Sequence, residues 1–175
     1  MVEEYYKYKA EIDILKNKSA PEKADLEKLI SIIKDDTELK NYFYNNNDND
    51  NWLELLEQAG EFAELPSVFR DGERIIYHGW IQGNYLVAVA GKKPEKVLNI
   101  IKDIDIENIH VMGYCFQSLG AMPVEVAAQG MKLVGRLLDK EIYRDWYGTG
   151  EPVTELMVKL AKGEKWDEAF GVAGK

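Results

Sequence analysis

Apolar residues recur along this chain at steps of three and four, and that spacing constrains the fold more than any other feature. A helix turns once every 3.6 residues, so such steps gather apolar side chains on one face that must be buried. Tyr5, Tyr8, Ile12 and Leu15 form a first stripe, and Leu26, Leu29, Ile30 and Ile33 a second. Pro21 stands at the start of the second, at a first-turn position where a missing amide costs nothing. Leu39, Tyr42 and Phe43 predict a third, shorter helix.

An Asn/Asp run from Asn45 to Asn51 then interrupts the pattern. Asn51 followed by Glu54 reads as a capping box opening a helix through Trp52, Leu53, Leu56 and Ala59. Gly60 is placed to end that helix with a left-handed residue. Residues 61–73, with Pro66, Asp71 and Gly72, read as the longest loop. Helical signal resumes near Ile75 and runs to about Ala90, with Gly79 and Gly83 explained by close approach of a neighbouring helix.

Beyond this point the stripes become regular. Val97, Leu98, Ile101 and Ile104 make one face, and Ile109, Met112, Phe116 and Leu119 the next. Ala127, Met131, Val134 and Leu138 follow. Val153, Leu156, Met157 and Leu160 mark another helix, and Trp166, Ala169, Phe170 and Ala173 the last. No segment alternates β-branched and polar residues for long, so no strand is required. The expected class is all-α, as one domain over 1–175: N-terminal helices and the Asn/Asp-rich loop in 1–50, and a repeat region in 51–175.

The repeat is carried by Pro94, Pro123 and Pro152, each 29 residues from the next. Gly91-Lys-Lys-Pro94 and Gly120-Ala-Met-Pro123 share a Gly-x-x-Pro phrase, and Gly148 and Gly150 precede Pro152. Glycine lets one helix end and proline starts the next, and each interval holds two helices. Such pairs are the unit of an α-solenoid, where each helical hairpin buries its face on its neighbour. An irregular multi-helix bundle punctuated by Gly-Pro turns is the alternative.

The segment from Pro94 to Leu138 resembles HEAT- and armadillo-type helical repeats in its paired helices and connecting turns. Asn51-Trp-Leu-Glu-Leu-Leu, Trp80 with Tyr85-Leu-Val-Ala-Val-Ala, and Pro94-Glu-Lys-Val-Leu are similar to helical modules of large bacterial repeat proteins. The resemblance implies a scaffold or interaction surface and brings no catalytic residue with it. A solenoid end needs a polar capping helix. The chain closes on Phe170-Gly-Val-Ala-Gly-Lys instead, so a further repeat or a second subunit is expected to cover that end.

Charge narrows the partners. Residues 1–50 carry 12 acids and 8 bases, residues 51–104 carry 8 and 6, and residues 105–175 carry 11 and 8. Every third is acidic, so no stripe is poised to neutralise phosphates, and neither nucleic acid nor an anionic membrane surface is an expected partner. Met1 to Ala10 is Tyr-rich, with Glu3 and Glu4 balancing Lys7 and Lys9, unlike the basic-then-apolar start of a signal peptide. The run Tyr85 to Ala90 is far too short to span a bilayer. With a single cysteine, Cys115, the chain has no internal disulfide, and the expected compartment is the cytoplasm.

Several residues invite a chemical reading. From Asn46, a calcium loop would place Asp48 and Asp50 at its third and fifth positions and Glu57 at the bidentate twelfth. Asn46 replaces its leading Asp, however, and Asn51 its turn glycine, so a solvated polar loop is the plainer account. Glu107 and His110 have the Glu-x-x-His spacing of di-iron bundles, but His78, the other histidine, has Ile75 three residues before it. Cys115 has no charged neighbour in Gly113-Tyr-Cys-Phe-Gln117 and reads as a small core residue. Tyr143, Trp146 and Tyr147, rimmed by Arg136 and Arg144, would fill a packing gap or, if exposed, form a protein-binding hot spot.

No phosphate loop, dinucleotide fingerprint, serine elbow or paired-cysteine spacing occurs. The expectation is a non-enzymatic module without a cofactor, binding a protein or peptide, either by itself or as part of a larger protein. The alternative is a regulatory helical domain that binds a small ligand or a metal.

Overall fold

The structure, a computed structural model, describes residues 2–72, 74–140 and 150–173. Among them are eleven α-helices, one 3-10 turn and one two-stranded antiparallel hairpin. The chain is therefore mostly helical, as its spacing predicts. Its contacts gather into two units, 1–64 and 65–175.

In the first unit, α1 (Val2–Lys16), α2 (Lys23–Ile33) and α3 (Thr37–Asn45) lead to a 3-10 turn (Asp50–Trp52) that runs into α4 (Leu53–Gln58). The predicted stripes supply its core: Ile12 and Leu15, Leu29 and Ile33, Leu39 and Phe43, and Trp52 with Leu56 are all buried. Phe43 meets Trp52 edge-on, with ring centroids 5.6 Å apart. Pro21 lies ahead of the α2 cap rather than in its first turn. The Asp25 carboxylate accepts the Glu22 N–H there, at 3.0 Å. Gly60 has φ +79, and after it Glu61 N–H reaches back to Leu56 O while Gly60 N–H reaches Glu57 O, so α4 ends as expected.

Three carboxylates are held below the usual aspartate value of 3.8: Asp13 by Lys16, Asp25 by Lys18, and Asp105 by Lys140. The Tyr42 hydroxyl donates to Asp13 at 2.8 Å as well. A carboxylate whose pKa is lower folded than unfolded stabilises the fold fully above its unfolded value, and that contribution vanishes as pH falls through the folded one. Thermal melts should therefore change little from pH 7 to 5 and fall by a few degrees below about pH 4. A melting point that holds constant down to pH 2 would contradict these pairings.

In the second unit, β1 (Val68–Asp71) and β2 (Arg74–Tyr77) precede α5 (Gly83–Ala90), α6 (Pro94–Ile101), α7 (Ile109–Ala121), α8 (Val124–Gln129), α9 (Met131–Leu138), α10 (Gly150–Lys162) and α11 (Trp166–Ala173). The centre is α7, which packs against α5 and α10. Val111, Met112, Cys115, Phe116, Ser118 and Leu119 are all buried, and only a narrow stripe through His110, Gln117 and Ala121 is exposed. Gly83 allows the close approach of α5, as its place in the sequence suggested. A Cβ there would come within 2.4 Å of the Tyr114 ring. Around Gly79 a Cβ would meet nothing within 4 Å, and the residue lies ahead of the helix.

The three prolines do open helix pairs. Pro94 is the first residue of α6, Pro123 immediately precedes α8, and Pro152 lies in the first turn of α10. Neighbouring leading helices touch, α6 with α8 and α8 with α10. The contact of α7 with α10 passes over the intervening pair, whereas a solenoid repeat touches only its neighbours.

The hairpin corrects the expectation of a loop over residues 61–73 followed by a helix from about Ile75. Val68 pairs with Tyr77, Phe69 with Ile76, Arg70 with Ile75 and Asp71 with Arg74, leaving a two-residue turn. Gly72 takes its first position with φ +58, the conformation that a tight hairpin turn demands. Asp71-Gly72 between Val68-Phe69 and Ile75-Ile76-Tyr77 is a hairpin signature. Its β-branched and aromatic flanks outweigh the short helical period read through Gly79 and Gly83.

Candidate functional site: a hairpin mounted on the central helix

Asn108 anchors the hairpin and is itself fully buried. Its Oδ1 accepts the N–H groups of His110 and Val111, at 2.9 and 3.3 Å, and so caps α7. Its Nδ2 donates to Pro66 O at 3.3 Å and to His78 O at 3.0 Å, one carbonyl on each side of the hairpin. One amide thereby starts the central helix and pins both hairpin stems to it. Arg70 adds a surface ion pair with Glu107, 3.4 Å away, worth little because both side chains are solvated.

Alternation divides the hairpin into two faces. Val68 and Tyr77, half-buried, belong to the face that also carries Arg70 and Ile75. On the other, Phe69 and Ile76 lie directly opposite each other and are 56% and 48% exposed, beside Asp71 and Arg74. Of the seven large apolar side chains exposed among the described residues, three belong to this one hairpin: Phe69, Ile75 and Ile76. The others are spread over α1, α10 and α11, where single exposed residues are ordinary.

The sequence-predicted sites fare differently. The Asn/Asp run is stitched into the fold: Asn49 Oδ1 accepts Asn51 N–H, and Asn49 Nδ2 donates to Lys16 O and Lys18 O at the end of α1. Asn49, not Asn51, is thus the residue that caps the turn leading into α4. No three His, Cys, Asp or Glu side chains converge on a metal position among the described residues, so Asp48, Asp50 and Glu57 are not brought together as ligands. His110 lies in the first turn of α7, and Glu107 lies ahead of the helix. Cys115 is fully enclosed, and burial pushes its thiol up to about 12, which leaves almost no thiolate at neutral pH.

Arg136 is committed to structure: its Nη2 donates to Lys102 O at 2.6 Å and Ile104 O at 2.9 Å, closing the end of α6. Lys159 does the same for α7 from α10, donating to Gly120 O and Met122 O, and desolvation lowers its pKa. The cluster of Tyr143, Arg144, Trp146 and Tyr147 lies outside the described residues. No helix among the described residues is long and apolar enough to cross a membrane. No family model, no curated protein and no solved structure matches the chain.

Proposed function

We propose that the chain is a non-catalytic helical interaction module whose paired helices serve as a scaffold and whose hairpin meets a protein or peptide partner. The reading is supported by the apolar Phe69–Ile76 pair, left in solvent on an element that a buried asparagine ties to the core. An exposed aromatic beside a β-branched residue on a rigid mount suits a binding hot spot, because little ordering entropy is lost on contact. The α-solenoid reading belongs to this proposal too, with the pairs opened by Pro94, Pro123 and Pro152 forming a short, irregular stack.

The test compares the intact chain with a Phe69→Ser, Ile76→Ser double variant as baits in a native lysate of the source organism. A protein captured by the first is then purified and titrated against both. We expect micromolar binding to the intact chain, at least tenfold weaker for the double variant, with identical far-UV circular dichroism. Equal binding by both would remove the hairpin from the reading, and no direct binding at all would remove the reading itself.

A further inference from the structure

We propose that α1 pairs with α1 of a second copy of this chain, antiparallel and crossing at Ala10, with Lys7 of each copy beside Asp13 of the other. The pairing is independent of the hairpin and of what the hairpin meets.

Steps of three, four and seven keep residues on one side of a helix, and α1 has two apolar sides. Ile12 and Leu15 are buried in the first unit. On the opposite side Tyr6, Ala10 and Ile14 stand one turn apart in solvent. Tyr6 and Ile14, at 64% and 68%, are the most exposed of the large apolar side chains among the described residues, and they share this face. Lys7 is exposed beside them and makes no hydrogen bond or ion pair among the described residues. The Asp13 side chain is 44% exposed. Its Oδ1 accepts from both Lys16 and the Tyr42 hydroxyl, while its Oδ2 has no partner among the described residues.

The order of these residues decides the occupant. Counted outward from Ala10, three steps reach Lys7 one way and Asp13 the other, and four steps reach Tyr6 and Ile14. A second copy laid antiparallel therefore brings a cation near a carboxylate and a ring near an aliphatic chain, once on each side of the crossing. Ala10 meets its mate at the crossing, where a small side chain lets two helix axes approach to about 8 Å. Parallel copies would set Lys7 against Lys7 and Asp13 against Asp13, so charge fixes the direction. A helix of another protein would need the same cation and carboxylate at the same spacing, and this chain already carries both. An anionic membrane surface gains nothing from this face, because Glu3 and Asp13 outnumber Lys7 there. Two helices of 15 residues bury less than the roughly 1,200 Å² of a standard interface, so the dimer is weak, with a dissociation constant of about 100 μM.

Sedimentation equilibrium of the full chain, from about 10 μM to about 1 mM, should show this dimer. Lys7→Glu alters a solvated side chain and sets a carboxylate against Asp13 at both crossings, which should weaken association at least tenfold, on the order of two repulsive pairs. Ile14→Ser should abolish it, with unchanged far-UV circular dichroism. Asp13→Lys should weaken it too, yet an equimolar mixture of Lys7→Glu and Asp13→Lys chains should associate like the parent, because each crossing again joins opposite charges. A covalent test leaves Asp13 untouched. Ala10→Cys puts a thiol at the crossing and should form a disulfide-linked dimer on mild oxidation. Glu3→Cys, whose mates lie at opposite ends of the pair, should not, and Cys115 is too buried to compete. A monomer throughout, an association unmoved by Lys7→Glu, or Glu3→Cys cross-linking as readily as Ala10→Cys would each overturn the proposal. A dimer lost in the Phe69→Ser, Ile76→Ser variant would place the contact on the hairpin and overturn it as well.

Discussion

Replacing Asn108 by alanine is expected to lower the stability of the second unit by about 2–4 kcal/mol, the sum of a lost cap and two part-buried hydrogen bonds. That is a large share of the roughly 5–15 kcal/mol available to a domain. The residue is completely buried, and its loss takes the donor from Pro66 O and His78 O, on either side of the hairpin. Urea unfolding followed by Trp80 fluorescence measures the loss. Asn108→Asp sharpens the argument, because it keeps an acceptor for His110 and Val111 and changes only the other half of the amide.

A negative group at a helix start is ordinarily favourable by about 0.3–1 kcal/mol. Here the second oxygen of a buried side chain would press on two carbonyl oxygens, which outweighs that gain. We expect Asn108→Asp to be at least as destabilising as Asn108→Ala at pH 7. Its introduced carboxyl would have a raised folded pKa, so its penalty grows as pH rises above about 4 and recedes as pH falls. Relative to the parent chain, Asn108→Asp should thus recover in acid while Asn108→Ala does not. Equal pH profiles for the two variants would show that the amide hydrogens do not hold the hairpin.

Trp52→Ala is expected to remove about 3–5 kcal/mol from the first unit, the usual cost of emptying a large aromatic site. The indole is fully buried and meets Phe43 edge-on, and Phe43 in turn meets Tyr44 with centroids 5.0 Å apart. Its Nε1 has no hydrogen-bond partner in that enclosure, so the stabilisation comes from ring volume and not from the N–H. Trp52→Phe should accordingly cost much less, under about 1.5 kcal/mol. Amide hydrogen exchange over residues 23–58 checks both. A Phe variant as weak as the Ala variant would mean the indole nitrogen carries the site.

Little of the candidate site was legible in the sequence. The Asp71-Gly72 signature was present, but the apolar residues that follow it also fit a helical period as far as Ala90. Nothing local decides between the two, because Ile75 and Ile76 suit either conformation. Asn108 and Asn49 are ordinary polar residues in a one-dimensional reading. Their importance comes from carbonyls 30 and 33 positions away that they satisfy at the same time as a cap. The calcium-like spacing of Asp48, Asp50 and Glu57 shows the converse: ligand spacing along a chain is not convergence in space.

Local order was legible along the chain: which segments are helical, which face of most of them is buried, and where Pro94, Pro123 and Gly60 start or stop them. These depend on steps of three and four and on the backbone freedom of single residues, which neighbours along the chain suffice to set. Only the tertiary structure decided that α7 lies at the centre of its unit, that residues 68–77 pair as strands, and that Phe69 and Ile76 remain in water. Those outcomes turn on which distant groups satisfy each buried donor and cover each apolar face, and a period along one chain carries no record of that.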